Sequence, residues 1–213
     1  MRLYDYYRSS ASYRVRIALN LKSLQVDHKE IHLINNGGEQ RSPEYMEVNP
    51  QKLVPTLEEN SRYLSQSLAI IEYLEERFPA PALLPDDPLQ RAQARSLALI
   101  ISSDIHPLNN LRVLQYLKNN LHANEEDIQT WYHHWIREGF SAFEKQLESV
   151  QENPCFCIGN QISIADICLI PQVYNAKRFK LNLESFPRIE NINKYCTSLP
   201  AFIQAGPEKN RIN

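Results

Sequence analysis

Hydrophobic and polar positions change period twice within residues 1–80. The apolar and aromatic run Leu3 to Tyr7 predicts a strand, and Val15, Ile17, Ala18, Leu19 and Leu21 then form a helical stripe, with the switch at Ser9-Ser10. Between Gln25 and Leu33, Val26, His28, Ile31 and Leu33 are separated by polar residues, which predicts a second strand. The intervening segment is too long for a tight hairpin, so the two strands should run parallel. Asn35-Asn36-Gly37-Gly38 breaks the pattern, and Ser42-Pro43-Glu44-Tyr45 predicts a short helix capped by Ser42 with Pro43 at its first position. Thr56 to Glu59 and Arg62 to Ser65 predict a hairpin across Asn60-Ser61. Gln66 to Phe78 then reads as a helix with Leu68, Ile71, Leu74 and Phe78 on one side. The order β-α-β, then β-β-α, implies a small mixed sheet.

Pro79, Pro81, Pro85 and Pro88 crowd one short stretch, a density that neither helix nor central strand tolerates. This divides the chain into a domain at 1–80, a stiff linker at 81–88 and a second domain at 89–213. In the second domain every clear spacing is helical. Leu97, Ile100 or Ile101, Ile105, Leu108, Leu111, Leu114 and Leu117 form one stripe, which Pro107 should kink. Trp131, Trp135, Phe140, Phe143 and Leu147 form another, with both tryptophans read as core. Ser163-Ile164-Ala165-Asp166 opens a third helix with a capping-box pattern, and Pro187 begins a fourth.

Composition narrows the chemistry. Lys and Arg number 23 against 25 Asp and Glu, which leaves no electrostatic footprint for nucleic acid or an anionic membrane. No apolar run approaches the roughly 20 residues that span a bilayer, and the N-terminus lacks a basic-then-apolar signal pattern, so a soluble, cytoplasmic protein is expected. Cysteines at 155, 157, 168 and 196 are too few and too clustered for a disulfide framework and read as reduced. Cys155 and Cys157 lack a second Cys or His pair at finger spacing, and the adjacent His133 and His134 point about 100° apart on a helix, so no metal site is expected.

Ser9-Ser10 sits at a strand-to-helix corner, where two roles are open. A serine oxygen there can cap the helix by accepting from a free N–H of the first turn. The same helix start stabilises anions, and a hydroxyl not used up in capping can donate to a thiolate, carboxylate or phosphate.

Several motifs together carry a family resemblance over almost the whole chain. The β-α-β-β-β-α domain, Val54-Pro55, Gln66-Ser67-Leu68-Ala69-Ile70 and the helical second domain resemble the cytosolic glutathione transferases. Ser9-Ser10-Ala11-Ser12-Tyr13-Arg14-Val15-Arg16-Ile17-Ala18-Leu19 and Asn175-Ala176-Lys177-Arg178-Phe179 are similar to the zeta class of that family, the maleylacetoacetate isomerases. The implied fold is a thioredoxin-like N-terminal domain followed by an all-helical C-terminal domain. One departure concerns Ala11, which stands where the class usually has a cysteine.

The resemblance implies glutathione as cofactor, a small-molecule substrate and a homodimer. Ser9, aided by Ser10, would donate a hydrogen bond to the glutathione sulfur, favouring a thiolate over a thiol of ordinary pKa about 8.5; the alternative is that these serines only cap. Gln66 and Ser67 would hold the γ-glutamyl end, a role that a cap at Ser67 does not exclude. Val54 would offer its main chain to the cysteinyl unit, with Pro55 cis. Gln40 would reach the glycyl end, while His106, Asn110, Leu111 and Arg112 would reach glutathione from the helical domain; a plain helix histidine is the other reading of His106. Arg8 and Arg178 would fork onto substrate carboxylates or else make ordinary surface ion pairs. The implied activity is cis-trans isomerisation of maleylacetoacetate by reversible thiolate addition. Maleylpyruvate isomerisation, conjugation to haloacids and other electrophiles, and a non-enzymatic binding role are the alternatives.

Overall fold

The chain is described by a computed structural model covering residues 1–211, the side chain of Asn36 excepted. Two compact units emerge: residues 1–83 together with 198–211, and residues 84–197. Ile212 and Asn213, the last residues of the expected 89–213 domain, lie outside the described residues.

The first unit is built on a four-stranded sheet in the order β2-β1-β3-β4. Its strands are β1 (Arg2–Asp5), β2 (Asp27–Glu30), β3 (Thr56–Glu59) and β4 (Arg62–Ser65). β1 pairs parallel with β2 and antiparallel with β3, and β3 pairs antiparallel with β4. The hairpin turns at Asn60 and Ser61, whose φ of 50° and 59° are the left-handed values that a two-residue hairpin loop requires. β2 is shorter than the alternation suggested, because as an edge strand it exposes Asp27, His28 and Lys29, and the buried Ile31 follows it.

Helices α1 (Ser10–Leu21), α2 (Pro43–Val48) and α3 (Ser67–Arg77) complete the expected order. Ser42 caps α2 with Pro43 in its first turn, as the local pattern required. The core-facing residues of α3 are Ile70, Ile71 and Leu74. α1 is unusual in being buried from Ser10 to Leu19, the two arginines Arg14 and Arg16 included.

The expected second domain ran unbroken to the end of the chain, whereas residues 198–211 pack with the first unit. Short helix α10 (Pro200–Ala205) lies on α1, and three side chains from one stripe of α1 donate to its main chain: Tyr13 Oη to Phe202 O at 3.2 Å, Arg16 Nε to Ala205 O at 2.9 Å and Asn20 Nδ2 to Ala201 O at 2.9 Å. Such long-range pairing leaves no local sequence signal.

The second unit is helical: α4 (Pro88–Leu99), α5 (His106–Leu108), α6 (Leu111–Asn120), α7 (Glu125–Val150), α8 (Ile164–Arg178) and α9 (Pro187–Cys196). Pro88, expected in the linker, opens α4 behind an Asp87 cap. The kink expected at Pro107 is displaced. Pro107 lies inside α5, and the preceding Ile100–Ile105 is a π-helical turn. Proline has no N–H for the carbonyl four residues back, so the helix widens upstream of it. Close contact with α7 is possible there because residue 139 is glycine; a Cβ would come within 2.3 Å of the Ile105 side chain.

The buried stripe of α7 is Tyr132, Ile136, Phe140, Phe143 and Leu147, one position beyond the tryptophans. Trp131 and Trp135 are therefore half-buried rather than core, with Trp131 Nε1 donating to Leu108 O at 2.9 Å. α8 opens on a complete capping box. Asp166 accepts from Ser163 N at 2.7 Å, Ser163 Oγ at 2.8 Å and Cys157 N at 2.8 Å. Burial lifts the Asp166 carboxyl above its ordinary range, opposed by those hydrogen bonds.

Candidate active site

The sheet register gathers one end of the first unit. Tyr4 faces Thr56, Thr56 faces Ser65 and Asp5 faces Glu30. The segments beyond that end are therefore neighbours: Tyr7 to Ser10 after β1, the loop with Gln40 after β2, Val54-Pro55 before β3 and Gln66-Ser67 after β4.

At the β1–α1 corner, Ser9 is the N-cap, with Oγ accepting from Ser12 N at 3.2 Å. A serine hydroxyl has one hydrogen and two lone pairs. Capping uses a lone pair, so the hydrogen can still be given to an anion, and the two readings of Ser9 are compatible. No acidic residue occupies the first turn of α1. The corner is fixed by Arg16, which donates to Asp5 Oδ2 at 2.8 Å and to the carbonyls of Tyr6 and Tyr7 at 3.4 and 2.7 Å. Half-buried Arg8 leans over the Tyr6 and Tyr7 rings, its guanidinium carbon 5.9 and 5.8 Å from their centroids. Ser10 is buried at the first position of the helix.

The Val54-Pro55 peptide is cis, as is Ala80-Pro81, which no sequence signal anticipated. Tyr45 Oη and Asn49 Nδ2 hold the preceding turn by donating to Leu53 O at 2.7 and 2.9 Å. Burial pushes the Tyr45 phenol up to about 12, so it stays a donor at neutral pH.

At the start of α3, Gln66 takes φ 71° and ψ 116°, a conformation that costs a non-glycine residue about 1–3 kcal/mol and is commonest at functional sites. Its Nε2 donates to Gln51 Oε1 at 3.0 Å. Ser67 is buried, and its Oγ accepts from Arg14 Nη1 at 3.2 Å. Gln40 is buried with Nε2 donating to Leu33 O at 3.4 Å, while its Oε1 has no partner among the described residues. Residue 38 must be glycine for this, since its φ is 100° and a Cβ would meet Gln40 Nε2 at 2.6 Å.

The remaining expected site residues belong to the second unit. His106 is half-buried on α5. Asn110 caps α6 by accepting from Arg112 N at 3.1 Å, with Leu111 half-buried and Arg112 exposed. Arg178 is exposed at the end of α8 with its guanidinium carbon 4.6 Å from the Phe179 ring centroid. Phe179 stacks on Tyr132 at 3.7 Å, and His133 Nε2 lies 2.8 Å from Phe179 O. Burial pushes the Tyr132 phenol up to about 12, with Arg178 pulling against it. Among the described residues no cluster of three or more His, Cys, Asp or Glu is placed to hold a metal ion. Burial also raises the Cys157 and Cys196 thiols, which keeps them protonated. No described helix is long and apolar enough to cross a membrane.

Arg14 and Arg16 were missed as site residues. Both are buried through partners distant in sequence, Ser67 for Arg14 and the main chain of α10 for Arg16, which leave no local signal.

Residues 3–82 match the Glutathione S-transferase, N-terminal domain, and residues 110–200 match the Glutathione S-transferase, C-terminal domain. A probable maleylacetoacetate isomerase of Vibrio cholerae is 48% identical over 206 residues, covering 97% of this chain and 95% of the relative. The holo structure of a bacterial zeta-class maleyl pyruvate isomerase superposes with a TM-score of 0.95 at 41% identity, covering 99% of this chain and 98% of that one. A maleylacetoacetate isomerase of Methylobacterium extorquens, solved with bound malonate and glutathione, gives 0.94 at 34% identity with the same coverage. The chain belongs to the glutathione S-transferase family, in its zeta class.

Proposed function

We propose that the protein is a glutathione-dependent cis-trans isomerase that converts maleylacetoacetate to fumarylacetoacetate. The observation that carries this reading is the register of the sheet, which brings Ser9, Val54-Pro55, Gln40 and Gln66-Ser67 to one end of the first unit. The relatives named above support glutathione as the cofactor and a maleyl keto acid as the substrate.

The residues fit the tripeptide. The buried Gln40 Oε1, without a partner among the described residues, suits a peptide N–H, the N-terminus of α3 with Ser67 suits a carboxylate, and the main chain at Val54 suits an extended peptide. When bound, glutathione supplies a sulfur nucleophile able to add to, and leave, a conjugated double bond. Ser9 lowers the proton affinity of that sulfur by donating its hydroxyl hydrogen, assisted by the first-turn N–H groups of α1 and by Ser10. Arg8 forks onto a substrate carboxylate. The assignment of Arg178 to a second carboxylate, and of His106, Asn110, Leu111 and Arg112 to glutathione, rests on the family resemblance, as do a homodimeric state and a cytoplasmic location. No serine acts as nucleophile.

Maleylpyruvate isomerisation is a second reading, favoured by the TM-score of 0.95 to the maleyl pyruvate isomerase. Following the ultraviolet absorbance of each maleyl compound with substoichiometric glutathione tests both. Turnover well beyond the glutathione supplied is expected for one of them; product that never exceeds the glutathione would leave only conjugation.

A further inference from the structure

Arg14 has no part in the chemistry described so far. Among the described residues it is the bulkiest fully buried side chain, 1% exposed, and lies on α1 rather than on any loop at the site. Its Nη1 donates to Ser67 Oγ at 3.2 Å. Guanidinium has five N–H donors and no acceptor, so in this pair Ser67 can only accept. The Ser67 hydrogen is thereby turned away from Arg14 and is left to donate to something else. Ser67 stands at the first position of α3, where main-chain N–H groups lack helical partners, and no acidic residue lies in that turn. A buried positive charge behind a helix N-terminus adds to its attraction for an anion, and does so with little screening by solvent.

We propose that Arg14 is a positioning residue for carboxylate recognition at the start of α3: it holds the Ser67 hydroxyl as an acceptor, so that the hydroxyl hydrogen and the α3 N–H groups together bind the α-carboxylate of the γ-glutamyl unit. This rests on the proposed function, and it adds a residue that does not touch the ligand but sets the polarity of one that does. It also accounts for an arginine buried in a helix where an apolar side chain would pack at lower desolvation cost.

The test compares two peptides by calorimetry: glutathione, and γ-aminobutyryl-cysteinyl-glycine, which lacks only the α-carboxylate. The wild-type protein should prefer glutathione by at least tenfold. Arg14→Met should lose most of that preference while binding the decarboxylated peptide as the wild type does. Arg14→Lys, which keeps the charge and can still donate one hydrogen bond, should retain an intermediate preference and serves as the folded variant if Arg14→Met does not fold. In a Ser67→Ala background, Arg14→Lys should no longer change the preference, since the arginine would then have no hydroxyl to orient. An undiminished preference in folded Arg14→Lys and Arg14→Met, or an equal loss of affinity for both peptides, would overturn the proposal. A wild-type protein that binds neither peptide would instead remove the proposed function on which it stands.

Discussion

Two helix starts in this protein use the same residue for opposite ends. Ser163 at the start of α8 is wholly buried, and its hydroxyl hydrogen and main-chain N–H are both taken by Asp166, three residues on. Ser9 at the start of α1 is half-buried, accepts from Ser12 N and has a serine where α8 has its aspartate. An acid inside the first turn neutralises the helix N-terminus from within; without it, the positive end of the helix dipole is left for an external anion. The Ser163 cap is closed by its own acid, whereas the start of α1 carries none.

Removing the internal acid should have the largest consequence. Asp166→Ala orphans three buried donors and should lower unfolding stability by about 4 kcal/mol, read by urea denaturation, while the folded fraction keeps its glutathione affinity. Ser9→Ala should do the reverse. Its kcat should fall about a hundredfold, as for loss of one preorganised donor, with a smaller change in glutathione affinity and a stability loss of about 1 kcal/mol for the cap. Equal activity would return Ser9 to capping alone. The smallest effect on binding should come from Ser12→Asp, which gives α1 the arrangement of α8: glutathione binding should weaken about fivefold, a difference of about 1 kcal/mol near a helix terminus, with a loss of stability as well, because Ser12 is fully buried. Tighter binding in that variant would break the comparison.

A further difference concerns pH. Because burial raises the proton affinity of Asp166 in the folded chain, the group favours folding below the ordinary carboxylate pKa, and that contribution is lost as pH rises through the raised value. Thermal unfolding of Asp166→Ala followed upward from about pH 4 should therefore lack part of the wild-type decline.

Sequence reading succeeded where the signal was local. Ser42-Pro43, the Asn60-Ser61 turn, Ser163 with Asp166, and Pro187 each define their structure within four residues, and each stands where expected. It failed where one periodicity supports two choices or where the partner is distant. The stripe of α7 was read from Trp131 and Trp135, although Tyr132 and Ile136 next to them face inward. Pro107 signalled an irregularity but not that the widened turn would lie upstream of it. The burial of Arg14 and Arg16 depends on α3 and α10, so no local pattern announces it.

The hydrogen bonds from Tyr13, Arg16 and Asn20 to the main chain of α10 also constrain the order of events during biosynthesis. The ribosome releases α1 early and residues 198–211 only after all of 84–197. A nascent chain thus carries its first unit with a bare flank through most of translation, and that unit is finished after the segment that interrupts it.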